Sequence, residues 1–215
     1  MVNVPATLTP EYLAERWSRL YHMAEAGSWE SVKRHGLLST RALLDLFGIS
    51  GAQRDAIEAA RRPRSVPIHH PEHGTAWIRD NKPINETVLR RTLTGMSEPD
   101  WYRTLNGRVF FWLSERRLEK LRNAPAYQQR EHDILTIDTN ALLDAYADEI
   151  ELCHLNSGAV HPAADYPRGA GTFQPIATYL WLDRLATAPA EPIVELTIPY
   201  AVPDIERFVI DVTTR

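Results

Sequence analysis

One glutamate lies inside an apolar, strand-like run near the end of the chain. Glu195 stands in the run Ile193–Ile198, on the opposite side of an extended strand from Val194 and Leu196. A carboxylate there either faces solvent or lines a pocket, where it can stabilise a positive charge that develops as a glycosidic bond breaks. Glu191, which precedes a proline at the start of the same segment, is the alternative carboxylate and is typical of a solvated charge.

Two further groups have the chemistry to bind a phosphate or a flat ring. Arg61, Arg62 and Arg64 form a basic cluster, and a guanidinium group can donate two parallel hydrogen bonds to a phosphate. Phe111 and Trp112 lie in a strongly strand-like run and offer aromatic faces for stacking. A Phe-Phe-Trp strand is also typical of ordinary core packing, so the residues alone leave both interpretations open.

The sequence lacks several signatures of other chemistries. It has no G-x-G-x-x-G, Walker P-loop, G-x-S-x-G or H-E-x-x-H motif. The histidine-rich run His69–His73 is interrupted by a proline and lacks the regular spacing that holds metal ligands in a fixed geometry, so we expect no metal site. Cys153 is the single cysteine, which excludes a disulfide framework, and its neighbour His154 points to the other side of an extended strand.

Composition places the chain among ordinary globular proteins. Its 215 residues are 44% hydrophobic and 24% charged, which excludes a disordered or fibrous protein. No apolar run approaches the roughly 18 residues of a membrane span, and residues 1–10 lack a secretory signal, so we expect a cytoplasmic protein without a membrane partner. Residues 1–130 carry 20 basic and 14 acidic side chains, whereas residues 131–215 carry 4 and 14. The positive first part can attract a phosphate-bearing ligand, although solvated helix faces explain it equally well.

Periodicity and capping residues predict helices early in the chain and strands late. The predicted helices are Glu11–Leu20, Trp29–His35 between Ser28 and Gly36, Thr40–Phe47, Gly51–Arg62, Ile84–Leu93, Glu98–Leu105, Glu115–Arg122, and Asn140–Ala147 capped by Thr139. The predicted strands are Leu20–Met23, Arg108–Leu113, Asp133–Asp138, Glu149–Leu155, Ile193–Ile198 and Phe208–Val212, and the predicted loops are Pro63–Pro83 and Asn156–Gly171. This order predicts one α+β domain over residues 1–215 with an antiparallel or mixed sheet.

The segment Leu20–Ser39 resembles the opening of a known family. Its predicted strand carries Tyr21 and His22, a helix follows, and Gly36 closes that helix before a Leu-Leu-Ser step. This pattern resembles ADP-ribosyltransferase domains, in particular the DarT-like toxins that modify DNA bases. The resemblance implies that His22, with Tyr21, holds the ribose of NAD and that Gly36 precedes the next turn of the NAD pocket.

The resemblance continues in the same order through nearly the whole chain, in the segments 49–64, 109–114, 134–158 and 194–212. It implies that Arg62 is a catalytic arginine and that Arg61 and Arg64 contact the phosphates of NAD or those of the acceptor. It also implies that Phe111 or Trp112 packs against the nicotinamide ring. Trp112 stands where the family has a tyrosine, which keeps a stacking ring but removes a hydroxyl group.

The resemblance assigns the catalytic carboxylate to Glu195. The spacing from Glu195 to Pro203 and to the closing strand needs no insertion, although Glu191 also fits the start of the family's strand. The implied fold is a split, mainly antiparallel sheet around an NAD cleft, in which His22, the strand of Phe111 and the glutamate converge. Residues 160–190 have no counterpart in the family, so the resemblance says least about the acceptor.

The implied function is NAD-dependent ADP-ribosyl transfer to a nucleic-acid base, in single-stranded DNA, by an enzyme of the toxin or defence type. NAD is then a substrate, and an antitoxin or immunity protein is an expected partner. Two alternatives stay open. The same fold can act on a protein or a small molecule or hydrolyse NAD, and it can be a non-catalytic binding domain.

Overall fold

A computed structural model of the protein describes residues 4–163 and 166–215. Within these ranges the chain forms nine α-helices and thirteen strands, which confirms the α+β prediction. The helices are α1 (Pro10–Arg16), α2 (Trp29–His35), α3 (Thr40–Leu46), α4 (Gly51–Glu58), α5 (Glu86–Thr92), α6 (Glu98–Asn106), α7 (Glu115–Arg122), α8 (Thr139–Tyr146) and α9 (Trp181–Thr187). No helix in the described part of the chain is long and apolar enough to cross a membrane.

The strands are mostly short, and the longest pair antiparallel. They are β1 (Arg19–Glu25), β2 (Leu37–Leu38), β3 (Val66–His70), β4 (Gly74–Ile78), β5 (Leu93–Thr94), β6 (Arg108–Trp112), β7 (His132–Asp138), β8 (Glu151–Cys153), β9 (Arg168–Gly169), β10 (Gln174–Pro175), β11 (Glu195–Pro199), β12 (Ala201–Val202) and β13 (Val209–Thr214). Residues 164 and 165 of the predicted loop Asn156–Gly171, and residues 1–3 of the N-terminal segment, lie outside the described residues.

Two sequence predictions about local structure are wrong. The segment Pro63–Pro83, predicted as a loop, contains the antiparallel hairpin of β3 and β4. The hairpin forms because alternate residues of its strands pack inward and Gly74, at φ +72°, takes the left-handed conformation at the turn. The cap of α8 is Asp138, whose Oδ1 accepts the backbone N–H of Ala141, and Thr139 is the first residue of the helix. Helix α9 was not predicted from the sequence.

The chain divides into two compact units. The first unit contains the residues up to Leu37, Val109–Leu155 and Phe173–Arg215, and the second contains Leu38–Arg108 and Asn156–Thr172. The second unit is therefore inserted into the first at two places in the sequence. The prediction of one domain over residues 1–215 stays a prediction.

A seven-stranded sheet forms the centre of the first unit, in the order β10-β8-β11-β6-β1-β7-β13. The antiparallel pair of β1 and β7 is continuous over seven positions, from Arg19 opposite Asp138 to Glu25 opposite His132. One face of the sheet, here called the core face, packs Leu20, Phe111 and Leu135 into the main core. That core also takes side chains from α1, α2 and α8.

The other face of this sheet, here called the second face, carries a smaller apolar cluster. Met23 of β1 and Ile134 of β7 stand opposite each other there and pack with Leu118 of α7 and with Tyr127. Successive residues of β1 and β7 thus alternate between the two clusters, as the period of two in a strand requires. The assignment of a side chain to a face follows from this alternation.

The second unit holds together through an apolar cluster and a charged network. Ile68 and Ile78 of the hairpin pack against Leu44 and Phe47 of the α3 segment and against Ile57 of α4. Beside this cluster, Arg41 and Arg54 bind the two carboxylate oxygens of Glu58, which is 4% exposed. Arg54 also binds Asp45, 2.5 Å away. The short strands β5 and β9 pair in parallel in the same unit.

Candidate functional site

Three adjacent strands of the first unit carry the residues that the resemblance singles out. In the order β11-β6-β1, β11 begins with Glu195, β6 carries Phe111 and Trp112, and β1 carries Tyr21 and His22. Strand β6 thus lies between the strand of Glu195 and the strand of His22. The fold therefore places side by side segments that are far apart in sequence.

The sheet opens between β1 and β6 next to His22. Among the described residues, these strands pair at one position, Tyr21 opposite Trp112, whereas β1 pairs with β7 along its whole length. The Nδ1 atom of His22 lies 2.8 Å from the backbone oxygen of Phe110. Because a carbonyl oxygen only accepts, Nδ1 carries the hydrogen and donates it. The imidazole thus hydrogen-bonds the backbone of the neighbouring strand and has its tautomer fixed.

Strand alternation divides the candidate residues between the two faces of the sheet. Tyr21 and Trp112 belong to the second face, since they pack against the cluster of Met23. His22 stands opposite Leu135 and shares the core face with Phe111, with ring centroids 6.0 Å apart. His22 and Phe111 thus lie on the opposite face of the sheet from Tyr21 and Trp112, so these four side chains do not share one face, and the predicted common pocket stays a prediction.

Glu195 belongs to the second face, with Tyr21 and Trp112. On β11 the next residue, Leu196, stands opposite Leu152, and both pack in the main core. Glu195 stands opposite Cys153, so its side chain points to the other side of the sheet. It is 3% exposed, which means that the carboxylate lies inside the protein and not on a solvated strand face.

The alternative carboxylate, Glu191, takes part in an ion cluster. Arg117 donates from Nε and Nη2 to its two carboxylate oxygens, at 3.1 and 2.5 Å, and Arg116 also pairs with it. Burial by itself raises the pKa of Glu191, but the hydrogen bonds from Arg117 and Arg116 outweigh burial and hold that pKa below its ordinary value. These contacts account for Glu191 as a structural residue and favour Glu195 as the site carboxylate.

The two candidate aromatic residues have different surroundings. Phe111 is fully buried in the main core, so core packing accounts for it without a ligand. Trp112 is partly buried on the face of Glu195. Phe110, which sequence reasoning missed, alternates onto the same face and packs edge-to-face on Phe173, with centroids 6.1 Å apart. The alternation of residues 108–112 was the signal that could have identified Phe110.

The three candidate arginines lie in the second unit and differ in their contacts. Arg62 is 6% exposed and donates from Nε to the backbone oxygen of Arg79 and from Nη2 to Oδ1 of Asn106, at 3.1 and 2.9 Å. It also donates to the backbone oxygen of Ile57. These contacts favour a structural role for Arg62, and its predicted catalytic role stays untested.

Arg61 and Arg64 are closer to solvent than Arg62. Nη2 of Arg61 donates to the backbone oxygen of Lys82, 2.8 Å away, and Arg64 is exposed. Three neighbouring arginines in the sequence thus have three different environments. The predicted contact of Arg61 and Arg64 with phosphate stays a prediction.

Gly36 lies where two backbone segments of the first unit approach each other closely. It ends α2 at φ +83°, and a Cβ atom at this position would lie 2.5 Å from the Cα of Pro203 and 2.9 Å from the oxygen of Val202. Only a residue without a side chain fits this approach of two backbones. The glycine is thus required where the sequence predicted the end of a helix, whether or not a ligand lies nearby.

Within residues 4–163 and 166–215, no group of three or more His, Cys, Asp or Glu side chains is arranged to hold a metal ion. His70 and His73, at the turn of the hairpin, stack with centroids 4.4 Å apart and planes 22° apart. Nδ1 of His70 accepts the backbone N–H of Glu72. These contacts account for two of the histidines in the His69–His73 run.

Comparison with known proteins identifies a family but no function. No curated protein and no solved structure matches the chain. One family model, described as a family of unknown function (DUF7002), matches residues 18–209 and so includes all the candidate residues named above. The chain belongs to the DUF7002 family.

Proposed function

We propose that the protein is an NAD-dependent ADP-ribosyltransferase that modifies a nucleic-acid base. The observation that carries this proposal is the order β11-β6-β1, which places the strand of Glu195 beside the strand of Trp112, with the strand of Tyr21 and His22 on the other side of β6. The opening between β1 and β6 at His22 supports the split sheet that the resemblance implies. Together these features supply a buried carboxylate and aromatic rings on one face of the sheet.

The residues of this face fit the chemistry of NAD. NAD supplies an ADP-ribosyl group, with nicotinamide as the leaving group. The carboxylate of Glu195 stabilises the positive charge that develops on the ribose as the bond to nicotinamide breaks, in the way that glycosidases use carboxylates. Trp112 and Tyr21 offer aromatic faces to the flat rings. Removing a single group that stabilises developing charge typically lowers a rate by about 10²–10³.

A nucleobase is the acceptor in this proposal because a base nitrogen can form the new bond to the ribose carbon as the old bond breaks. The pair of electrons of the broken bond leaves with nicotinamide, and the acceptor nitrogen loses a proton. An enzyme that acts on a base needs it unstacked, and a single strand avoids most of that cost. Single-stranded DNA is therefore the proposed substrate.

The test is incubation with NAD labelled in its adenine moiety, together with separate pools of single-stranded DNA, duplex DNA, RNA and protein. We expect label on single-stranded DNA. Glu195→Gln keeps the shape of the side chain but removes its charge, so we expect turnover to fall by about 10² or more with NAD binding retained. The matched control is Glu191→Gln, which is expected to retain activity.

The other outcomes identify which alternative replaces the proposal. Label on protein alone would identify a protein, in place of a nucleobase, as the acceptor. Free ADP-ribose alone would indicate NAD hydrolysis. Loss of activity in Glu191→Gln with a fully active Glu195→Gln would assign the reaction to the other carboxylate. A wild-type protein that binds a ligand but turns over no NAD with any acceptor is a binding domain.

A further inference from the structure

The hairpin of β3 and β4 in the second unit has one packed face and one exposed face. Its inner face places Ile68 and Ile78 in the apolar cluster with Leu44. The register sets Pro67 opposite Trp77 and His69 opposite Thr75 on the outer face. All four of these outer residues are exposed.

The outer face of the hairpin carries exposed aromatic groups. Trp77 is 47% exposed, although indole is among the side chains with most to gain from burial. Nδ1 of His69 lies 2.9 Å from Oγ1 of Thr75, which holds the imidazole ring in place on the same face. An exposed tryptophan, a held imidazole and a proline on adjacent positions make a surface on which flat rings can stack.

Charge on the second unit favours an anionic partner. Its segments, 38–108 and 156–172, contain 12 Lys and Arg against 9 Asp and Glu, a net charge of +3. The first unit contains 12 and 19, a net charge of −7. Residues 64–82, which contain the hairpin, carry three basic side chains (Arg64, Arg79 and Lys82) and two acidic ones (Glu72 and Asp80), and Arg64, Lys82 and Glu72 are exposed.

We propose that the outer face of this hairpin binds a single-stranded nucleic acid. Bases stack on Trp77 and His69, and the nearby basic side chains contact the phosphates, which is how proteins bind single strands without reading their sequence. A duplex keeps its bases stacked inside and offers no ring faces to the hairpin, so a single strand is preferred. Binding at this surface needs neither NAD nor Glu195, and it is measured independently of the proposed transfer.

The experiment measures fluorescence anisotropy of labelled 12-nucleotide DNA and RNA single strands, and of the matching DNA duplex, with the full chain in the absence of NAD. We expect single strands to bind more tightly than the duplex, with an affinity that falls as salt concentration rises. Trp77→Ala is expected to lose about tenfold or more in affinity, because one stacking platform is removed. The DNA-to-RNA affinity ratio identifies which single strand the hairpin prefers.

The matched control is Tyr166→Ala, which removes another exposed aromatic ring of the same unit, 63% exposed, outside the hairpin. It is expected to bind as wild type does. Lys82→Ala is expected to weaken all sequences equally and to reduce the salt dependence. Because Trp77 is exposed, its variant should melt within a few degrees of wild type, and a melting scan checks this.

Wild-type affinity in Trp77→Ala, an equal loss in Tyr166→Ala, or tighter binding of the duplex than of single strands would overturn the proposal. Absence of binding to every oligonucleotide would overturn it as well. Binding that depends on Trp77 in a protein without transferase activity would support the hairpin surface and count against the proposed function alone. The two proposals therefore fail separately.

Discussion

Each of the two compact units buries a glutamate, one on a helix and one on a central strand. Glu58 in the second unit and Glu195 in the first are 4% and 3% exposed. The carboxylate oxygens of Glu58 are bound by Nε of Arg41 and Nε of Arg54, at 2.5 and 2.6 Å, which is sufficient to explain its burial. Glu195 is placed by the backbone of a central strand, on a face that also carries Trp112.

This contrast shows that burial of a charged side chain does not by itself mark a functional site. Glu58 belongs to an ion network that joins α3 and α4 of its unit. Glu195 is singled out by its place in the sheet. Its strand β11 lies beside the aromatic strand β6, and β6 in turn pairs with β1 at one position next to His22. Substitutions at the two glutamates, and at matched positions of the two units, are therefore expected to differ in their effects.

The largest effect on stability is expected at Gly36 in the first unit. Gly36→Ala introduces a Cβ atom 2.5 Å from the Cα of Pro203 in a left-handed conformation, so we expect a loss of about 3 kcal/mol in the free energy of unfolding. Urea denaturation measures it. Gly27→Ala is the matched control, since Gly27 has φ +77° with no atom within 4 Å of the added Cβ, and it should cost about 1 kcal/mol.

The second unit offers a counterpart to Gly36. A Cβ atom on Gly169 would lie 2.3 Å from the backbone oxygen of Thr94, where β9 pairs with β5. Gly169→Ala should therefore destabilise the protein by about 2 kcal/mol, since the clash is present but no positive φ adds to it. If Gly169→Ala and Gly27→Ala have the same effect, the close approach of β5 and β9 does not limit the size of the side chain.

The next pair of substitutions compares the two buried glutamates. Glu58→Gln leaves Arg41 and Arg54 without their carboxylate, and we expect a loss of about 2–3 kcal/mol, since both arginines keep some contact with water. Glu195→Gln keeps the shape of the side chain and is expected to lower turnover. An equal loss of stability in both variants would mean that Glu195 has a structural role like that of Glu58.

The same ion network predicts a dependence of stability on pH. Burial raises the pKa of Glu58, but the hydrogen bonds from Arg41 and Arg54 outweigh it and leave that pKa below its ordinary value. The contribution of Glu58 to stability is therefore present above the unfolded pKa of about 4.3, and it is lost as pH falls through the lower folded pKa. Urea unfolding between about pH 5 and pH 3 should show a shallower loss of stability in Glu58→Gln than in wild type.

The smallest effects concern helix caps, one in each unit. Asp138→Ala removes the cap of α8 and Ser97→Ala removes the cap of α6, whose Oγ accepts the backbone N–H of Asp100. Each should cost about 1 kcal/mol. Thr139→Val is the control, because the Thr139 hydroxyl is buried without a hydrogen-bond partner, and it should be nearly neutral. A larger loss of stability in Thr139→Val than in Asp138→Ala would indicate that Thr139 caps α8, as the sequence predicted.

Local patterns in the sequence predicted most helices because their information is local. The helix Glu115–Arg122 has the predicted bounds, and α2 ends at Gly36 as predicted, since capping and glycine stops depend on a few neighbouring residues. The hairpin β3–β4 was missed because prolines and histidines obscured the alternation of its inner residues. The helix α9 was missed because its apolar residues show no clear period.

The candidate site was predicted as a set of residues but not as an arrangement. The sequence placed Glu195, Trp112 and Tyr21 on strands, and it identified them from their types and order. It could not show that Phe111 faces the core and Phe110 the other side, because the phase of a strand depends on what packs against each face. It also could not distinguish Arg62, whose guanidinium hydrogen-bonds inside its unit, from the exposed Arg64.

The sequence alone determined the α+β class, the presence of most helices, and the short list of residues with reactive or binding side chains. Tertiary structure decided that β11, β6 and β1 are neighbours, that Glu191 is held by arginines, and that Glu195 is buried. The physical reason is the distance along the sequence over which each interaction acts. Helix periodicity and capping act within a few residues, whereas strand neighbours, ion-pair partners and burial depend on segments that are distant in the chain and meet only when the core forms.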